Sequence, residues 1–170
     1  MIIWFIGMSG SGKSTLASAL YQRLKPECRH LILVDGDDFR EIFRNDADHS
    51  VAGRRLNAER ISNFCLNLDQ QGIHVIAAVL SIFPEWQQWN RQHYSRYQQV
   101  YLDIPMEELI RRDTKNLYED AREGRMKNVV GFDIEFPTPI GSDCVIDLEI
   151  QEKGVDACLS HILGGMPSLD

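Results

Sequence analysis

No apolar run long enough to cross a bilayer occurs in the 170-residue sequence. The apolar opening, Met1 to Ile6, is short and has no basic leader, so it reads as neither a signal peptide nor a membrane span. A cytoplasmic location with no membrane partner is the expectation. Positive charge is in deficit: 18 Lys and Arg against 25 Asp and Glu give a formal net charge of −7. That balance argues against a broad grip on nucleic acid, which needs Lys and Arg to displace condensed counterions. A local positive pocket for a small anion remains open.

Cysteine is sparse and unpatterned. Cys28, Cys65, Cys144 and Cys158 show no CxxC spacing, which argues against a zinc site or redox pair and leaves buried free thiols. His30, His49, His74, His93 and His161 lack ligand spacing as well. Low-complexity tracts and internal repeats are missing, and with 44% hydrophobic and 25% charged residues the chain is expected to form one globular domain over residues 1–170.

What is present is an alternation of strand and helix signals. Ile2–Ile6, Leu31–Val34, Val75–Leu80, Val100–Asp103 and Cys144–Leu148 read as strands, and runs apolar on both faces suit central parallel strands. Between them lie helical periods: Lys13 to Leu24, Arg54 to Gln71 before Gly72, Pro84 to Tyr94, a helix opening at Pro105, and Val155 to Leu163. The pattern predicts an α/β three-layer sandwich of the P-loop type, with a mainly parallel five-stranded sheet. Residues 112–142, rich in Gly, Pro and charge, break the alternation and read as an active-site lid rather than a core element. Beyond Gly164 and Gly165 a mobile tail is expected.

Gly7-Met8-Ser9-Gly10-Ser11-Gly12-Lys13-Ser14 fits G-x-x-x-x-G-K-[ST] at every fixed position. Such a loop turns backbone N–H groups inward around a phosphate while the following helix adds its positive end. Lys13 is expected to reach the β- and γ-phosphates and Ser14 to supply an oxygen to Mg²⁺, with Gly7, Ser9, Gly10, Ser11, Gly12 and Thr15 completing the ATP cradle. After the second strand comes Asp35-Gly36-Asp37-Asp38-Phe39-Arg40, at the carboxyl edge where open α/β sheets bind ligands. Asp37 reads as an acceptor-side carboxylate, Asp35 as a Mg²⁺ ligand acting through water, and Asp38 as a turn residue capping the next helix.

Together these segments resemble the adenylylsulfate kinase family, through almost the whole chain to about Glu149. Trp4 to Leu16 is similar to the family's opening, and Asp35 to Arg40 to its acidic motif. Arg112 to Tyr118, Ala121-Arg122, Lys127-Asn128 and Gly131-Phe132-Asp133 follow the spacing of its lid. The resemblance implies transfer of the γ-phosphoryl group of ATP to the ribose 3′-hydroxyl of adenosine 5′-phosphosulfate. It further implies Asp37 as base, Arg40, Arg54 and Asn57 as the grip on the acceptor, Arg112 on the donor side, and Ser81 and Lys127 on the acceptor side. A small-molecule nucleotide substrate and a homodimer belong to the same expectation.

Six positions depart from the family. His49 and Val129 stand where it stacks the acceptor's adenine between two phenylalanines, and base–aromatic stacking is worth about 1–3 kcal/mol per base. Leu56 and Glu59 replace an expected Glu and Arg, and Ile82 and Pro84 change the segment after the third strand. A related family phosphorylates cytidine diphosphoramidate, whose smaller pyrimidine needs less stacking surface; it is the alternative acceptor. His49, Phe132 and Phe136 are the rings that the sequence offers as replacements.

Overall fold

Alternate residues of β1 (Ile2–Ile6) enter different cores. Ile3 and Phe5 join one apolar cluster, while Ile2, Trp4 and Ile6 join another. This is the period-two consequence of a strand covered on both faces. The computed structural model describes residues 1–113 and 116–166. Thr114 and Lys115 of the lid motif, and the expected mobile tail after Met166, lie outside the described residues.

The five strands are β1, β2 (Leu31–Asp35), β3 (His74–Val79), β4 (Tyr97–Asp103) and β5 (Cys144–Asp147). They form one all-parallel sheet in the order β2-β3-β1-β4-β5. One face carries α1 (Lys13–Leu24) and α8 (Val155–Gly164), whose Leu16, Leu20, Leu159 and Ile162 meet Ile76, Val100 and Leu102. The other carries α3 (Val51–Gln70), whose Ile61 and Cys65 pack with Trp4, Val75 and Tyr94, the last at the end of α4 (Pro84–His93). Burial pushes the Cys65 thiol up to about 12, so it behaves as a packed apolar group.

Register brings the functional segments level. Ile6 pairs with Val79 and Tyr101, and Asp35 pairs with Ala78. The loops after β1, β2 and β3 therefore leave the sheet at one carboxyl edge.

Four expectations change. β2 is an edge strand, and its Leu33 is 37% exposed; an apolar run does not by itself distinguish an edge from the centre. Two short helices, α2 (Gly36–Ile42) and α7 (Leu148–Glu152), occupy stretches read as turn and strand end. Between them in the chain lie α5 (Met106–Arg111) and α6 (Leu117–Arg122), the latter inside the predicted lid. The cap of α2 is Asp35, which accepts a hydrogen bond from the Asp37 N–H at 2.9 Å, and not Asp38. Finally, the lid shares in the core, since Tyr118, Val129, Val130 and Ile134 are all buried.

Candidate active site

The loop after β1 is held open from outside. Three of its carbonyls are taken: Met8 O accepts from Lys13 Nζ (2.8 Å), Ser9 O from Tyr118 Oη (2.7 Å) and Ser11 O from Gln151 Nε2 (2.8 Å). Carbonyls held in this way leave the loop's N–H groups for a ligand, the need of a phosphate cradle. Gly12 opens α1 with φ 95°, a conformation that costs any β-carbon-bearing residue about 1–2 kcal/mol. Gly7 has no room for a side chain: a β-carbon there would lie 2.7 Å from Ser11 Oγ. That hydroxyl is buried with no protein partner among the described residues, an orphan suited to a phosphate oxygen.

Lys13 and Ser14 follow on the first turn of α1. Burial pushes the Lys13 ammonium down to about 8, and the Asp35 and Asp37 carboxylates partly offset the fall. Ser14 Oγ donates to Asp35 Oδ2 at 2.5 Å. One hydroxyl and one carboxylate so joined fit the donor set of Mg²⁺, which takes few protein oxygens and fills its octahedron with phosphate and water. Thr15, Gly10, Gly12 and Leu16 line a cavity of about 320 Å³ beside the loop, closed by Arg112, Gln151, Val155 and Cys158.

On the opposite side a second set converges. Asp37 is exposed on α2 and acts electrostatically on Lys13, Arg40, His49 and Arg54. The Arg54 guanidinium is held down in pKa by burial and then by Arg40. His49 is lowered by burial first, then by Arg40 and Arg54. Two cations this close destabilise each other, so the cluster favours a bound anion. Asn57, buried one turn along α3 from Arg54, sets Nδ2 3.5 Å from Gly36 O.

Part of this cationic capacity holds the protein itself. Arg40 Nη1 donates to Ala47 O (2.6 Å) and Asp48 O (3.1 Å), fixing the loop before α3. Arg54 Nε donates to His49 O and Nη2 to Asn128 O, both at 2.8 Å, joining α3 to the lid. Lys127, on the same stretch of lid, is exposed. Ser81 sits after β3 with φ 58°, and its Oγ accepts from the buried Trp4 Nε1 at 2.7 Å.

Of the three rings that the sequence offers for the acceptor, two lie against other aromatic side chains. Val129 is 2% exposed and packs in the main core, its N–H held by Asp133 at 2.6 Å. Phe132 stacks on Tyr118 with centroids 5.7 Å apart, and Phe136 on Tyr101 at 6.2 Å. His49 is exposed beside Arg40 and Arg54. Leu56 and Glu59 lie on the exposed side of α3. Sequence reasoning placed Tyr118 in the lid motif but missed it as an anchor of the loop, and it missed Gln151, which belongs to no motif, altogether.

Comparison with known proteins bears on this geometry. The adenylylsulphate kinase family model matches residues 1–147. A cytidine diphosphoramidate kinase of Campylobacter jejuni is 40% identical over 87% of this chain and 89% of its own. An adenylyl-sulfate kinase of Pseudomonas aeruginosa is 34% identical over 98% of this chain and 87% of its own. The structure of the Mycobacterium tuberculosis APS kinase, solved with AMPPNP and APS, superposes with a TM-score of 0.87 at 27% identity, covering 98% of this chain and 97% of the other. A parallel sheet carrying a phosphate loop, a facing acidic helix and a match through residue 147 have one reading: the chain belongs to the adenylylsulphate kinase family and is an ATP-binding phosphotransferase.

Proposed function

We propose that this kinase transfers the γ-phosphoryl group of MgATP to the ribose 3′-hydroxyl of a nucleotide, and that the nucleotide is cytidine diphosphoramidate. The observation that carries the choice of base is the core position of Val129, 2% exposed. An adenine clamp needs an aromatic ring on that stretch of lid. Phe132 and Phe136 are engaged with Tyr118 and Tyr101, which leaves His49, of these three, beside the acceptor cations. A pyrimidine offers less stacking area and loses less from this replacement. The 40% identity to the C. jejuni cytidine diphosphoramidate kinase supports the same reading.

In this reading Asp37 takes the proton of the attacking hydroxyl while the γ-phosphorus bond to the ADP oxygen breaks. Lys13 and the inward N–H groups of the loop meet charge on the transferred group. Ser14 and Asp35 would hold Mg²⁺, which would supply positive charge against that of the phosphates. Arg40, Arg54, Asn57 and Lys127 orient the acceptor's anionic tail, and the Ser81 hydroxyl donates to it from the carboxyl edge of the sheet. Arg112 faces the donor.

Adenylyl sulfate is the second reading, favoured by the 0.87 superposition on the M. tuberculosis enzyme. ADP formation from MgATP, measured with both acceptors in parallel at equal concentration, separates the two. Turnover with the cytidine compound and little with adenylyl sulfate is the expected result. The reverse would show that His49 or another group replaces the clamp. Silence with both would sink the acceptor assignment while leaving the phosphate loop in place.

A further inference from the structure

We infer that Gln151 is a positioning residue for the phosphoryl donor: it locks the Arg112 guanidinium as one wall of the cavity beside the phosphate loop, so that a nucleobase can lie against it. The inference rests on the reading of that loop as the ATP site.

Gln151 lies on α7, just beyond β5. Its amide is used at both ends, Nε2 donating to Ser11 O at 2.8 Å and Oε1 accepting from Arg112 Nη1 at 2.5 Å. A carbonyl can only accept and a guanidinium can only donate, so this amide has a single possible orientation. No flip is available without breaking both bonds.

Arg112 is gripped from a second side, because its Nε donates to Glu108 Oε1 at 2.5 Å. The two bonds lie along the edge of the guanidinium, where its N–H groups point, and leave its faces uncovered by them. A planar cation held by its edge offers a flat face for stacking on an aromatic ring. That guanidinium lines the cavity of about 320 Å³ together with Gly12, Thr15, Leu16, Val155 and Cys158. The walls are mainly apolar with a few fixed polar groups, the usual make-up of a small-molecule site. Gln151 also lies against the loop, with Nε2 3.0 Å from where a β-carbon on Gly12 would be. The side chain therefore spans from the phosphate cradle to the base cavity and sets the distance between them.

A residue that acts through Arg112 should matter more to a ligand that carries a base than to a bare polyphosphate. Titration calorimetry on the full chain with AMPPNP and with inorganic tripolyphosphate tests this without any acceptor. In wild type the base-bearing ligand should bind more tightly. Gln151→Leu should weaken AMPPNP about five- to tenfold, the scale of one partly exposed charge-assisted hydrogen bond. Tripolyphosphate, which feels only the lost tie to Ser11 O, should weaken less, about two- to threefold, the low end for one neutral hydrogen bond. In the Arg112→Ala background, Gln151→Leu should weaken AMPPNP no more than it weakens tripolyphosphate, because the group it positions is gone.

Equal weakening of both ligands would overturn the proposal, since it would make Gln151 a support of the loop alone. Full additivity with Arg112→Ala would overturn it as well. Thermal melting of each variant distinguishes a misfolded chain from a lost contact. A folded wild type that binds neither ligand would refute the donor site itself, whereas silence toward both acceptors in the turnover assay leaves these binding results intact.

Discussion

At the scale of single residues, Lys13 and Asp37 carry the sharpest consequences. Lys13 is displaced downward to about 8 by burial, so it is fully charged below that pH and progressively neutral above it. A bound triphosphate favours the charged form and raises the value again. Binding should therefore take up protons between about pH 8 and the ordinary lysine value, and affinity should fall as pH climbs through 8. Calorimetry at pH 8.5 in buffers of different ionisation enthalpy reads that uptake directly; a proton count of zero would contradict it. Asp37→Asn keeps the shape of the acceptor side and removes the base, so kcat should drop about 10²–10⁴-fold, the range for lost general-base catalysis. Turnover within a few-fold of wild type would reject the assignment. Ser81 gives a test in stability. Both Ser81→Gly and Ser81→Ala lose the Trp4 bond, but only alanine keeps a β-carbon at φ 58°. The glycine variant should be the more stable by about 1–2 kcal/mol in denaturant titration.

At the scale of elements, the acceptor side depends on how α3 begins. Ser50 caps it, accepting from the Gly53 N–H at 3.2 Å, and Gly53 lies so close to the preceding loop that a β-carbon would sit 2.3 Å from Asp48 O. Asp48 O is also a partner of Arg40. Gly53→Ala must push this loop away and loosen Arg40 and His49 together. The expected outcome is a raised KM for the acceptor with the KM for ATP unchanged; parallel changes in both would place the loop outside acceptor binding. None of this was legible in the sequence, where the α3 signal began at Arg54 because the apolar period starts there. The strands, the long helices and the phosphate loop were legible because each rests on a local pattern: an apolar run, a 3.6-residue period, glycines at fixed offsets. The core position of Val129, the capping role of Asp35 and the edge position of β2 were not, because each is decided by what packs alongside. Arg40 and Arg54 were read as ligand groups from the family resemblance, and a resemblance does not reveal that they also donate to the carbonyls of Ala47 and Asn128.

At the scale of the whole molecule, both apolar clusters share one sheet, since β1, β3 and β4 each send alternate residues to either side. Neither layer can lose its helices without exposing the strands that support the other. The lid is bound into the same unit through Tyr118 and Val129 in one cluster, and Val130 and Ile134 in a third with Ile82 and Phe83. We therefore propose that residues 1–170 unfold as one domain. Calorimetric and van't Hoff enthalpies should agree, at about 120 kcal/mol near 60 °C from the usual 0.7 kcal/mol per residue. Saturating AMPPNP at about 100 times its Kd should add roughly 2.7 kcal/mol, because the ligand binds the folded chain alone. At this chain length that stabilisation moves Tm upward by about 5–10 °C. The shift should be the same whether followed by tryptophan fluorescence, which senses Trp4 in the sheet and Trp86 and Trp89 on α4, or by far-ultraviolet circular dichroism. Two transitions, with AMPPNP moving only one, would instead mean that the phosphate loop and α1 fold apart from the α3–α4 layer, and the single-domain reading would fall.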